Sequence, residues 1–198
     1  MEKPKVHRGA RRSRQRGNTL VESALTLIPT LVMFLGIADV SLVIFLQSTL
    51  TNATLEGVRW AITFQSSYNG TDCSSSQASC ITKVVQDNCY GFLNSYSSLV
   101  TVNYYTANDL SNPVETCNSG TCTQTGTLPQ TLSNGTVVKY ANQPGNIVQV
   151  QVSNFPWNWL FPVAATGYHL TAKSINLNAS SMDVLGSLAV GATTPPNP

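Results

Sequence analysis

The 198-residue sequence has little of what enzymes and metal sites require. Its two histidines, His7 and His169, are too few for a histidine metal site or a convincing nucleophile–base pair. Its five cysteines lack paired C-x-x-C spacing, which argues against zinc. We therefore expect no catalytic residues, no metal site and no cofactor.

Positive charge is scarce outside the first seventeen residues. Seven of the eleven basic residues lie in residues 1–17 with a single acid, Glu2, which gives this leader a net charge of +6. The rest of the chain carries four basic and eight acidic residues, a net charge of −4. A basic arm can bind nucleic acid, but this one abuts a long apolar run, as the cytoplasmic flank of a membrane span does. We therefore expect a lipid bilayer as a partner and no nucleic acid.

The hydrophobic segment that follows the leader is long enough to cross a membrane. From Leu20 to Leu46 it is mostly apolar, with two acids, Glu22 and Asp39. At about 1.5 Å per residue, a helix of this length spans a hydrocarbon core of roughly 30 Å. Pro29 should kink the helix or loosen one turn, which membrane helices tolerate. We predict a transmembrane segment over residues 18–46, with Asp39 near its outer interface.

A cleaved secretory signal is the competing interpretation of this segment. Gly36, Ile37 and Ala38 resemble a small-residue cleavage site, and cleavage there would release a protein that begins at Asp39. The apolar run continues to Leu46, however, and exceeds the usual signal core of about 7–15 residues. An anchor is favoured, with the N-terminus in the cytoplasm and the C-terminal domain in the periplasm or outside the cell.

Beyond the span the apolar pattern becomes one-sided. Apolar or small residues recur at spacings of three and four, namely Leu50, Ala53, Gly57, Ala61 and Phe64. We predict one helix over about residues 19–64. Its amphipathic extension, residues 47–66, should be covered on one side by the domain that follows.

Residues 67–190 have the pattern of an extracytoplasmic α+β domain. Val85, Cys89 and Leu93 share one helical face, which predicts a short helix over residues 81–93. Alternating residues predict strands around residues 100–104, 148–152, 168–172 and 175–179. The phase slip between the last two indicates a bulge near Lys173, and Asn134 before Gly135 is typical of a hairpin turn.

The predicted fold class is therefore α+β. A long N-terminal helix, with a membrane half and an amphipathic half, packs against a small antiparallel β-sheet domain. We predict that residues 191–198 form a disordered tail. The aromatic run from Phe155 to Pro162 either packs under the sheet against the long helix or serves as an interfacial anchor or subunit contact.

All five cysteines lie beyond the anchor, where disulfides persist. Cys117 and Cys122 enclose a four-residue loop, and Cys73 and Cys80 flank a serine-rich one, so these are the two candidate disulfides. Cys89 would then remain a buried thiol, the commoner fate of a lone cysteine. Because the number of cysteines is odd, one cysteine could instead form a disulfide with another chain.

Glu22 is the residue that a simple anchor does not explain. An ionisable group at hydrocarbon depth costs at least about 2.5 kcal/mol unless it finds a partner. Cleavage after Gly17 would place the new ammonium group of Asn18 at the same depth. Glu22 of one subunit could then neutralise the ammonium of its neighbour on assembly.

These residues carry a resemblance to a known family. Arg-Gln-Arg-Gly17 followed by Asn18-Thr-Leu-Val-Glu22 is similar to the class III signal of type IV pilins and pseudopilins, with Glu at mature position five. The wider pattern resembles the TadE-like pseudopilins of tight-adherence (Tad/Flp) systems. Besides Glu22, the matching positions are Pro29, Asp39, Glu56, Gly57 and Arg59.

The resemblance implies a pilin-like protein that a prepilin peptidase cleaves after Gly17. It implies other pilin or pseudopilin subunits and the Tad assembly platform of the bacterial inner membrane as partners. The domain is large beside short major Flp-type pilins, which favours a minor subunit in pilus assembly or initiation, in the membrane or in the filament. The alternative is an unprocessed, membrane-anchored binding or adhesin domain in which Glu22 snorkels.

Overall fold

The computed structural model of the protein describes residues 12–65, 67–73, 75–131, 135–159, 174–187, 195 and 198. It confirms the predicted α+β class, with a long N-terminal helix and an antiparallel sheet domain. The predicted strand over residues 168–172, most of the predicted tail and the end of the aromatic run lie outside the described residues.

The described chain divides into two compact units, and the boundary falls inside the first helix, between Leu42 and Val43. The first unit contains the part of this helix up to Leu42. The second contains the chain from Val43 to Asn158 and the strand that begins at Ile175.

The first helix, α1 (Arg12–Ala61), is longer at its start and shorter at its end than predicted. Its first six residues belong to the basic leader, outside the predicted helix. Arginine and glutamine are good helix formers, so the helix extends backwards from the apolar run. At the other end, Phe64 adopts a left-handed backbone with φ of 49° and donates its N–H to the Ala61 carbonyl.

The second helix, α2 (Gln77–Asn88), begins four residues earlier than the predicted one and also ends earlier. Ser76 sets its start, because its side chain accepts a hydrogen bond from the Ser79 N–H as an N-cap. Tyr90 and Gly91 follow the helix with positive φ of 50° and 85°, which a continuing helix cannot contain.

Within the described residues, nine strands form three antiparallel sheets. The main sheet has the order β5-β4-β3-β8-β9, and two small hairpins pair β1 with β2 and β6 with β7. The strands are β1 (Ser67–Tyr68), β2 (Thr71–Asp72), β3 (Val100–Tyr105), β4 (Glu115–Asn118), β5 (Thr121–Gln124), β6 (Gln130–Thr131), β7 (Val137–Val138), β8 (Ile147–Trp157) and β9 (Ile175–Val184). A short 3-10 helix, Ser97–Leu99, precedes β3.

The described strand predictions around residues 100, 150 and 177 are confirmed as β3, β8 and β9. Register pairs Val102 with Val150, so that the alternating valines of β3 and β8 lie on one face. The main sheet has its irregularity in β8, between Val152 and Phe155, where Asn154 has a φ of 57°. The bulge predicted near Lys173 falls on the border of the described residues and stays a prediction.

The amphipathic half of α1 is part of the core of the domain. Its predicted face is buried at every position from Leu50 through Ala61 to Phe64. Leu46 and Leu50, at 1% and 0% exposure, pack in one cluster with α2 and with the apolar face of β3, β8 and β9. Each buried leucine stabilises the fold by about 1.5–3 kcal/mol.

A buried amide joins the end of α1 to the rest of the domain. The Gln77 Nε2 group donates to the Ala61 carbonyl at 3.0 Å, and the Gln77 Oε1 atom accepts from Asn142 Nδ2 at 2.9 Å. The Tyr104 hydroxyl lies 3.4 Å from the same Oε1 atom, and desolvation raises its pKa, so it stays a proton donor. An unpaired buried amide costs about 1–3 kcal/mol, so this network fixes how α1, α2 and β3 meet.

Gly57 marks a close approach between α1 and α2. A Cβ atom at Gly57 would lie 2.6 Å from Cγ2 of Val85 and 3.5 Å from Cγ1 of Val150. Val85 is fully buried and β-branched, so it has few other rotamers to adopt. A side chain at position 57 therefore forces a rearrangement of the core.

We expect Gly57→Ala to destabilise the domain. Overpacking a core costs about 1–3 kcal/mol, which exceeds the helix-propensity gain of up to about 1 kcal/mol. The midpoint of thermal unfolding, followed by circular dichroism in detergent, should fall by a few degrees, at about 2–4 °C per kcal/mol for a chain of this size.

Gly36→Ala is the matched control, because Gly36 lies in the same helix and a Cβ there meets nothing within 4 Å. It should leave the midpoint unchanged or raise it slightly. A Gly57→Ala midpoint equal to that of the control would contradict the close contact.

Candidate functional site

The candidate site is the first part of α1, which exposes apolar side chains along its length. Leu20, Leu25 and Phe34 are 71%, 74% and 68% exposed. The helix is long and apolar enough to cross a membrane, and only 6% of its most apolar window is buried. A core helix of a soluble domain buries such residues, so this segment is suited to anchoring in a membrane.

Glu22 is exposed on this apolar helix. The hydroxyls of Ser23 and Thr26 bond to carbonyls of their own helix, including the Glu22 carbonyl at 3.2 Å from Thr26. The Glu22 carboxylate itself has no hydrogen bond or ion pair within the described part of the chain. Among the residues that the structure describes, its side chain therefore has no partner.

Gly17 and Asn18, the predicted processing position, lie inside α1. In a helix, Asn18 and Glu22 are four residues apart, on the same face and separated by about 6 Å along the axis. The new N-terminus that cleavage would create is thus one turn from the carboxylate.

Pro29 lies within α1, and the helix continues through it. Proline has no N–H, so the carbonyl four residues earlier loses its helical hydrogen bond. That carbonyl belongs to Leu25, and the next carbonyl, of Thr26, accepts the Thr30 hydroxyl at 2.7 Å.

Asp39, the second acid of the apolar segment, is 3% exposed. It follows Glu22 by seventeen residues, which is about 26 Å along a helix. The two acids therefore bracket an apolar stretch only slightly shorter than the roughly 30 Å hydrocarbon core.

The other motif positions, Glu56, Gly57 and Arg59, lie near the end of α1. Arg59 Nη1 and Glu56 Oε1 are 2.6 Å apart in an exposed ion pair. Such i, i+3 pairs stabilise a helix by only about 0.2–0.5 kcal/mol. Gly57 makes the core contact described above. The stability of the fold therefore accounts for the glycine at position 57 better than it accounts for the exposed pair of Glu56 and Arg59.

The motif residues are strung along one helix rather than gathered in a pocket. Glu22 and Glu56 are 34 residues apart in the sequence of α1. Such an arrangement suits contacts with neighbouring molecules along a helix, because no single substrate could touch both ends.

Two disulfides staple the domain. Cys73 bonds to Cys80 at the start of α2, and Cys117 bonds to Cys122 across the β4–β5 hairpin. The Glu115 carboxylate lies close to the second pair, and desolvation raises its pKa. Because these two sulfurs are bonded to each other, they offer no thiolate to a metal ion.

Sequence reasoning missed the buried side chain of Gln77 and the close contact at Gly57. Glutamine in a polar stretch carries no signal of burial, and its partners Ala61 and Asn142 are distant in sequence. Ser76 could have predicted the earlier helix start, because serine is a typical N-cap residue and an apolar pattern follows it.

The helix and domain define a class of protein, an α+β protein with one helix suited to anchoring in a membrane and a domain stapled by two disulfides. Residues 17–59 match the family model described as TadE-like protein, and so the chain carries a TadE-like N-terminal segment, as its motifs predicted. The match begins at Gly17 and ends at Arg59. No curated protein and no solved structure matches the chain.

The family is one of pilus components rather than of enzymes. The matched segment ends within α1, so it covers the anchor and most of the amphipathic helix but neither α2 nor the sheet.

Cys89 should be inert towards thiol reagents in the folded protein. It is a buried free thiol, and desolvation raises its pKa to about 12, whereas the thiolate is the reactive form. Iodoacetamide should add no label to the native protein and one label per chain after denaturation without reductant, measured by intact mass. Rapid native labelling, or three labels after denaturation, would contradict this arrangement.

Proposed function

We propose that the protein is a minor pilin or pseudopilin that takes part in the assembly or initiation of a Tad/Flp-type pilus. The observation that carries the proposal is the Glu22 carboxylate, which has no partner in the described chain and lies on an exposed apolar helix five residues after Gly17. The match of residues 17–59 to the TadE-like family supports the same function.

The proposal includes cleavage after Gly17 by a prepilin peptidase at the cytoplasmic face of the inner membrane. The bond lies inside α1, so the helix must unwind locally before a peptidase can reach it. Glycine within a helix costs about 1 kcal/mol relative to alanine, which makes this turn easier to open than its neighbours.

Cleavage creates the charge that Glu22 lacks. The free ammonium group of Asn18 and the Glu22 carboxylate are each costly at membrane depth, by a few kcal/mol. Pairing between the ammonium of one subunit and the Glu22 carboxylate of the next offsets both costs when subunits assemble. The uncompensated carboxylate thereby favours the assembled state over the single subunit.

The proposed topology places the leader in the cytoplasm and the sheet domain in the periplasm or outside the cell. The leader's net charge of +6 agrees with the positive-inside rule. The two disulfides agree with an oxidising compartment for the domain. The partners are then the prepilin peptidase, other pilin subunits and the Tad assembly platform.

The alternative function is that of an unprocessed, membrane-anchored binding or adhesin domain. The exposed apolar face of α1 suits a simple anchor as well. The two functions differ in whether Gly17 and Glu22 matter, and the next two experiments separate them.

Glu22→Gln should leave processing largely intact and strongly reduce the number of surface pili, counted by electron microscopy. The amide is similar in size but carries no charge to pair with the ammonium of a neighbour. Ser23→Ala is the matched control, because its hydroxyl bonds only to its own helix at Leu20. Normal piliation in the Glu22→Gln strain would rule out the pairing.

Gly17→Val should block cleavage, because a branched side chain at the scissile position both hinders access and resists the local unwinding. Intact mass spectrometry should then find a precursor heavier than the wild type by the leader of 17 residues. Gly9→Val, in the same leader, should be processed normally. A processed Gly17→Val protein would count against the proposed cleavage position.

A further inference from the structure

A groove of about 350 Å³ runs along one face of α1 beside the C-terminal end of α2. Phe45, Ser48 and Asn52 line it from α1, and Asn88 and Tyr90 line it from the other side. All of these residues belong to the second compact unit.

Tyr90 is exposed in a way that folding does not explain. Its side chain is 81% exposed, and within the described residues it neither donates a hydrogen bond nor stacks on another ring. Its φ of 50° lies in the left-handed region, which is unfavourable for a residue with a Cβ. Phe92, two residues on, is 39% exposed, and Phe45 across the groove is 53% exposed. Strain combined with exposed aromatic surface points to a contact outside the chain.

The surface around the groove carries almost no charge. Residues 40–55 of α1 and residues 88–108 contain no charged side chain. Glu56, at the far end of the groove, is already paired with Arg59. Along the α1 face the side chains change from aromatic at Phe45 to hydroxyl and amide at Ser48 and Asn52. This gradient matches the passage from hydrocarbon to headgroups at a bilayer surface, where tyrosine is enriched.

The continuity of α1 places this groove next to the outer end of the segment that is expected to cross the membrane. The apolar run ends at Leu46, so Phe45 lies at the outer end of the expected span. The headgroup layer on each side of the hydrocarbon is roughly 5–7 Å thick. Phe45 therefore lies where the expected span passes into that layer, and Tyr90 lines the same groove.

We propose that the turn after α2, with Tyr90 and Phe92, is a second membrane contact that seats the base of the domain in the phospholipid headgroup layer. This inference rests on the proposed membrane anchoring of α1. The contact would restrict the domain's freedom to tilt about the anchor, and it would position the domain for docking with other subunits.

The test measures depth in the membrane with a nitroxide label on the full-length protein in phospholipid vesicles. In a Cys89→Ala background, separate labels are attached at Tyr90→Cys, at Phe34→Cys within the span, and at Tyr140→Cys as the aqueous control. Tyr140 is close in sequence to Asn142, whose contact with Gln77 places it at the Ala61 end of α1, about 24 Å beyond Phe45. Asn88→Cys, which also lines the groove, is the second site if Tyr90→Cys does not fold.

We expect the ratio of oxygen to nickel-chelate relaxation at position 90 to be several-fold above that at position 140 and below that at position 34. Equal ratios at positions 90 and 140, with position 34 buried, would overturn the second contact and leave the anchor standing. An aqueous ratio at position 34 would overturn both. Protection of position 90 from both reagents would mean that protein fills the groove, and this too would overturn the proposal.

Discussion

One helix has to satisfy two environments, and the rest of the structure depends on that constraint. Up to Leu42, α1 exposes apolar side chains that only lipid or other apolar helices can cover. From Val43 onward the same helix supplies the centre of a folded core through Leu46, Leu50 and Ala53. The core of the domain therefore includes this part of α1, and a change at its buried positions acts on the domain.

The periodic parts of this arrangement could be predicted from sequence, because period and length carry their signal. The buried face of α1 and the valine alternation of β3 and β8 follow from spacing alone. The strands β4 and β5 could not be predicted, because Glu115–Asn118 and Thr121–Gln124 are short and polar and owe their pairing to the neighbouring β3 and the hairpin disulfide. The Gln77 network escaped prediction since tertiary contacts, rather than local pattern, bury an amide.

The candidate site was more predictable in its residues than in its arrangement. Glu22 stands out because a charged side chain in an apolar run is costly unless it has a partner. Gly17 stands out because it separates the basic leader from that apolar run. The helical spacing adds that Asn18 and Glu22 share a face, and the core contact at Gly57 gives the TadE-like motif a structural role at its far end. The Glu22 carboxylate has no partner among the described residues, and its pairing with a neighbour's ammonium group is the proposed physical basis of assembly.

The N-terminal sequence of the wild-type protein, extracted from membranes of its own host, tests this account most directly. The account predicts that the mature chain begins at Asn18, with its ammonium group free to pair with a neighbour's Glu22. A chain that still begins at Met1 would contradict the account and leave a simple anchor. A chain that begins at Asp39 would contradict it as well, because the protein would then have lost both Glu22 and its membrane span.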